Sequence, residues 1–194
     1  MRKKYLIGAL ALVLIVSGIG SSIAYFTSKD SKNNTFTVGD VSIEIDEPNW
    51  DPTDPVIQAD AQIPKDPLVK NTGKNSAFIR LHVKVSDYAV LKDSINGEPD
   101  TLFVGHDASQ WLPAGEPVVE EDSITYSYYY FEPLAGGSQT TPVFTAIHFP
   151  DTMDQVKVQE VDGELIITVS ADAIQVVEGY STAAEAFEAF DVQP

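Results

Sequence analysis

Ala77-Phe78-Ile79-Arg80-Leu81-His82-Val83-Lys84-Val85 alternates without a break from Ile79 onward. Ile79, Leu81, Val83 and Val85 are aliphatic, and Arg80, His82 and Lys84 between them are polar. Side chains on a strand point to opposite faces in turn, so this period of two predicts a strand with one buried and one wet face. Val41, Ile43 and Ile45 alternate with Ser42 and Glu44 in the same way. Val143, Thr145, Ile147 and Phe149 predict a further strand ending at Pro150. Leu165, Ile167 and Val169 predict one over Gly163–Ser170, and Ile166 on its other side points to a central position. Ser123–Phe131 adds Tyr126, Tyr128, Tyr129 and Tyr130, residues suited to a pleated, partly buried surface. Turn signals stand between these runs at Asn71-Thr72-Gly73, Asn96-Gly97-Glu98-Pro99, Pro113-Ala114-Gly115 and Ala135-Gly136-Gly137-Ser138. Together they predict a mainly β chain, an antiparallel β-sandwich without internal repeats.

Two segments depart from this pattern. Residues 46–67 hold Pro48, Pro52, Pro55, Pro64 and Pro67 among Asp46, Glu47, Asp51, Asp54, Asp60 and Asp66. Proline cannot donate to a ladder, so this is an irregular connection or an edge segment rather than a central strand. Near the C-terminus, Thr182-Ala183-Ala184-Glu185 has the spacing of a capping box. Ala183, Ala186, Phe187 and Phe190 then share one helical face, which predicts one short helix packed on the sheets through its phenylalanines.

The N-terminus reads as an export signal. Arg2, Lys3 and Lys4 precede an apolar run from Leu6 to Ile19, and Ser22-Ile23-Ala24 puts small residues at the two positions a signal peptidase reads. Cleavage is expected between Ala24 and Tyr25, leaving residues 25–194 as a single domain. The alternative is a retained anchor, since Leu6–Ala24 is close to the ~18–20 apolar residues that span a bilayer. Ser17, Gly18, Gly20, Ser21 and Ser22 weaken its second half, and no basic stop-transfer cluster follows. Membrane contact is therefore expected only through the uncleaved signal.

Composition narrows the function classes. The chain has 12 basic and 29 acidic side chains, and three of the basic ones lie in the signal, so the exported part carries a charge near −20. Such a surface repels phosphate backbones and anionic lipid, which argues against nucleic acid as a partner. There is no cysteine, which removes disulfides, thiol catalysis and Cys-ligated zinc. Stability must come from the core, and about 170 residues suffice to bury roughly 70% of the unfolded surface.

Ala24-Tyr25-Phe26-Thr27-Ser28-Lys29-Asp30, followed by Asn34-Thr35-Phe36-Thr37-Val38-Gly39-Asp40-Val41-Ser42-Ile43-Glu44-Ile45, resembles the N-terminal signature of the TasA/camelysin (CalY) family, exported proteins of Gram-positive bacteria. Three further blocks follow in the family's order: Asp66–Gly73 with Ala77–Arg80, Tyr128–Tyr130 with Leu134–Gly137 and Thr141–Phe144, and Ala171–Gln175. The resemblance implies a jelly-roll-like β-sandwich, release by a SipW-type signal peptidase, and a place in extracellular matrix or cell-surface fibres, including biofilm matrix. It implies that Asp66–Gly73 and Ala77–Arg80 form a hairpin. It also implies donor-strand assembly, in which the freed N-terminal segment of one subunit completes a sheet in another copy or in a co-secreted homologue. Residues 25–38 would be that segment, with Tyr25, Phe26, Thr35, Phe36 and Val38 as its β-favouring side chains. The other reading of Thr35–Val38 is an extension of the domain's own first strand. Because subunits of charge near −20 repel one another, salt, Ca²⁺ or low pH should promote assembly.

Camelysin relatives have been described as metalloproteases, yet His82, His106 and His148 form no H-E-x-x-H pair, and no catalytic or metal-ligating residue is expected. There is no G-x-S-x-G elbow and no phosphate loop. Asp51 with Asp54, or Glu120-Glu121-Asp122, could attract Ca²⁺ but lack EF-hand spacing and read as solvated charge. Trp50 and Trp111 with the tyrosines could form a carbohydrate platform, although core packing accounts for them. The sequence thus favours a non-enzymatic fibre subunit without cofactor. A monomeric adhesin or ligand-binding module is the alternative, and a camelysin-like metalloprotease the third reading.

Overall fold

The computed structural model describes residues 41–50, 59–88, 91–92, 99–152 and 166–192. The chain is mainly β, with antiparallel sheets and one short C-terminal helix. The strands are β1 (Ile43–Asp46), β2 (Gln62–Pro64), β3 (Leu68–Asn71), β4 (Ala77–Ser86), β5 (Phe103–Val104), β6 (Trp111–Pro113), β7 (Val118–Val119), β8 (Ser123–Tyr130), β9 (Ala146–His148) and β10 (Ile167–Gln175). A single helical turn, α1 (Pro99–Leu102), precedes β5, and α2 (Ala183–Asp191) closes the described chain.

The strand read from strict alternation is the centre of the larger sheet, whose order is β10-β4-β8-β6, with β7 also on β8. Ile79, Leu81, Val83 and Val85 of β4 are fully buried, beside Ile124, Tyr126, Tyr128 and Tyr130 of β8 and Ile167, Val169 and Ala171 of β10. The opposite wall of the same apolar cluster comes from Ile63, Val69, Phe103, Phe144 and Ile147. Phe103 stacks on Phe144 (4.5 Å between centroids) and meets Tyr126 edge-on at 5.2 Å, so aromatic contacts join the two walls.

That second wall is assigned as two small sheets, β1-β3 and β2-β9-β5. Backbone bonds nevertheless run almost continuously between residues 60–71 and 138–149. Asp60 donates to Phe149, Lys65 to Thr145, Val143 to Pro67, Thr140 to Val69 and Asn71 to Ser138. One extra residue at Thr141–Pro142 shifts the register midway, as a bulge does, and splits the strand assignment. The strand expected over Val143–Phe149 is accordingly assigned only at Ala146–His148. Thr145 is exposed while Phe144 and Ala146 are buried, so the alternation fails beside the bulge.

Three further expectations are corrected. The strand foreseen at Gly163–Ser170 is Ile167–Gln175, and among the described residues it ends its sheet rather than lying within it. Asp66–Gly73 and Ala77–Arg80 do not form a hairpin, because β3 pairs with β1 and β4 with β10 and β8. The turn between them is an arch joining the two walls. Asn71 fastens it, donating to Asn75 O (2.9 Å) and Leu134 O (3.0 Å) and accepting from Gly73 N–H. Gly136 packs so closely on the arch that a Cβ there would stand 2.4 Å from Lys74 O, and Gly137 beside it adopts a φ of +76°, so each member of the pair has its own need for glycine. Finally, Phe190 is 37% exposed, and only Ala183, Ala186 and Phe187 of α2 are buried. The capping box itself forms: Thr182 Oγ1 accepts from Glu185 N–H, and Glu185 Oε2 accepts from Thr182 N–H. The Pro/Asp-rich segment contributes an edge strand, β2, one of the two forms expected for it.

Candidate functional site

The feature of this architecture best suited to recognition is the outer edge of β10. Ser86 N–H donates to Ile166 O and Val176 N–H to Ser76 O, which marks the bonded pairs at both ends of the β10–β4 ladder. The register is unbroken between them. In antiparallel pairs bonded and non-bonded positions alternate, so even-numbered residues of β10 face β4. Ile167, Val169, Ala171, Ala173 and Gln175 therefore turn their N–H and C=O groups the other way. Among the described residues no backbone bond reaches them.

β1 runs alongside this edge without bonding to it among the described residues. Thr72 N–H donates to Ser42 O, so the even-numbered residues of β1 face β3 while Ile43 and Ile45 turn their backbone groups outward. One outward edge of each wall thus lies on the same flank. Of the side chains beneath, Ile167, Val169 and Ala171 belong to the core cluster, and Ile43 and Ile45 are partly buried against it.

The opposite end of the larger sheet is guarded. Along β6 the outward positions are Trp111, whose N–H is taken by Asp107 O (2.9 Å), and Pro113, which has no N–H. Between Pro113 and Val118 the register against β8 slips by two residues, and Pro117 removes another donor. Prolines and bulges are the usual protection of a sheet edge. β10 has neither.

A polar cluster borders the edge on its outer face. Arg80 Nη2 donates to Asp172 Oδ2 (3.0 Å) and Asp191 Oδ1 (3.1 Å), and its guanidinium lies 4.3 Å from the Phe187 ring centroid. His82 joins Ser127 Oγ (2.7 Å) and Asp172 Oδ2 (3.3 Å) through its two ring nitrogens. The Asp172 pKa is lowered by hydrogen bonding with His82 and then Arg80, against an opposing effect of burial. Burial works against the charge on Arg80, but the Asp191 and Asp172 carboxylates outweigh it and raise its pKa. These contacts tie α2 to β4 and β10 beside the open edge. A group whose pKa is depressed on folding contributes stability above its unfolded value, near 4, and that contribution fades as pH falls through the folded value. Asp172→Asn is thus expected to cost about 0.5–1 kcal/mol at neutral pH, held down by solvent screening of a one-third exposed carboxylate. The difference from the parent should vanish in urea melts below the ordinary aspartate range, and an equal loss at every pH would contradict this reading.

The residues foreseen for assembly, Ala24 and Tyr25 at the cleavage site and Phe26, Thr35, Phe36 and Val38 in the donor segment, lie outside the described residues. The three histidines occupy separate neighbourhoods: His82 on Asp172 and Ser127, His106 on Val143 O and the Tyr128 ring, His148 on Asp60. Among the described residues no three His, Asp or Glu side chains are grouped to hold a metal ion. Trp111 is fully buried, and Tyr126, Tyr128 and Tyr130 are buried beside it in the core cluster, so they serve the core. The open edge was not foreseen in the sequence, because an edge is defined by which strand lacks a neighbour. No family model, no curated protein and no solved structure matches this chain.

Proposed function

We propose that this chain is an exported structural subunit of extracellular matrix or cell-surface fibres, a TasA/camelysin-type protein with a jelly-roll-like β-sandwich. In this reading a SipW-type peptidase cuts between Ala24 and Tyr25, and the freed residues 25–38 add as a strand to β10 of a neighbouring copy or a co-secreted homologue. The observation that carries it is the nine-residue, proline-free outer edge of β10. Main-chain hydrogen bonds along such an edge supply affinity, and alternate side chains of the incoming strand supply register. Tyr25, Phe26, Thr35, Phe36 and Val38 have the β-favouring character an added strand needs. Head-to-tail donation does not close on itself and therefore gives filaments.

The test compares protein beginning at Tyr25 with protein beginning at Val38, by negative-stain microscopy and sizing chromatography. Filaments from the first and monomers from the second are expected. Monomers from both would overturn strand donation in favour of a monomeric binding module, and filaments from both would show that residues 25–37 are dispensable.

A further inference from the structure

Lys65 is the most deeply buried charged side chain among the described residues, at 0% exposure. Its Nζ stands 2.6 Å from Glu47 Oε1, itself in a side chain only 7% exposed. The Trp50 ring covers the ammonium, 4.8 Å from Nζ to centroid. The turn that carries Glu47 and Trp50 is clamped from below: Asn49 N–H donates to Asp66 Oδ1 (2.8 Å) and Asn49 Nδ2 to Asp66 Oδ2 (2.7 Å), while Trp50 N–H donates to Glu47 O (3.1 Å). Lys65 is fixed from its own side by the bond from its N–H to Thr145 O. An amine and a carboxyl group are thus held together, out of water, by two rigid backbone segments.

Such a pair has two tautomeric forms. As an ion pair it bears the desolvation of both charges. Alternatively the proton moves from Nζ to the carboxylate, leaving a neutral amine beside a carboxylic acid, the reacting forms of an amide condensation. Burial lowers the Lys65 pKa despite the opposing charge and hydrogen bond of Glu47 and the charge of Asp66, which favours the neutral amine. Holding reactants in contact is equivalent to effective concentrations of about 10⁵–10⁸ M, enough to favour condensation that is unfavourable between free solutes.

We propose that Lys65 and Glu47 condense in the folded protein to an intramolecular isopeptide bond. Nζ of Lys65 attacks Cδ of Glu47 and the Nζ–Cδ bond forms. The Cδ–OH bond breaks, and the hydroxyl leaves with an amine proton as one water. No oxidant, reductant or nucleotide enters the balance. Asp66, whose negative charge acts on Lys65, favours the developing positive charge on the attacking nitrogen. The bond would tie β1 to the β2–β3 segment across the Pro/Asp-rich connection, a covalent staple in a chain without cysteine.

The test is the intact mass of the purified folded chain, followed by tandem mass spectrometry of a protease digest. The expected result is a mass lower than the sequence value by one water, with the loss localised to a branched peptide joining Glu47 to Lys65, and the full sequence mass in Lys65→Met. An unmodified mass in the folded parent would overturn the proposal and leave a buried ion pair. So would a water loss that maps elsewhere or persists in Lys65→Met. The mass of the parent decides the matter even if the variant fails to fold.

Discussion

Trp111→Ala is expected to destabilise the protein by about 3–5 kcal/mol, the range for deleting a fully buried large aromatic. Trp111 has no solvent exposure, packs on Tyr130 with centroids 5.1 Å apart, and donates from Nε1 to Thr141 O at 3.0 Å. It therefore joins β6 to the bulged strand of the opposite wall, and its loss leaves both a cavity and a carbonyl without its donor. Against a total stability of about 5–15 kcal/mol, this removes roughly a fifth or more of what keeps the domain folded. Leu112 is the natural comparison. It is the next residue, on the other face of the same strand, and 46% exposed, so Leu112→Ala should stay within about 0.5 kcal/mol of the parent. Urea melts of the three proteins would decide, and a Trp111→Ala midpoint matching that of Leu112→Ala would contradict this account of the core.

Ala173→Pro is expected to abolish filaments while leaving the monomer folded. The Ala173 N–H faces the open side of β10, so proline there removes no bond to β4 and is placed where sheets tolerate it, on an edge with the missing donor outward. It takes a donor from the middle of the proposed acceptor and sets a ring in the path of an added strand. Ser170→Pro is the counterpart. Its N–H faces β4, so the same substitution three residues earlier should break the ladder and destabilise the domain by about 3 kcal/mol or more. Circular dichroism would confirm which variant is folded, and microscopy would count filaments. Normal fibres from folded Ala173→Pro would remove β10 as the acceptor.

The parts of this fold that were legible in the sequence share one property: a single residue pattern determined them. From Ile79 onward β4 alternates aliphatic and polar side chains, so the aliphatic face had to be the one turned to the main core. The capping box at Thr182 is local and formed as read. β10 was harder because its second half, Ala171 to Gln175, presents small side chains to the core. Its extent is set by register against β4 rather than by its own pattern. The arch from β3 to β4 has the turn chemistry of a hairpin, and turn residues do not specify whether the strands they join lie in one sheet or two. Phe190 follows the helical period, but Phe187 takes the buried place on the sheet and leaves Phe190 partly exposed. Lys65 was hidden for a different reason: its partner lies across a proline-rich segment whose composition reads as solvated loop.

The order of strands in the larger sheet sets when this chain can fold. Its central strand, β4, has one neighbour that begins only at Ser123 and another that begins only at Ile167. Neither side of β4 can be covered by a local hairpin, so each pairing must first close a long loop, and chains dominated by such distant pairings fold in roughly milliseconds to seconds rather than microseconds. As the polypeptide emerges, β4 stays without a sheet partner until β8 has been made, and its other side stays open until β10 follows. The larger sheet can be completed only after Gln175, the last residue of β10, has been made.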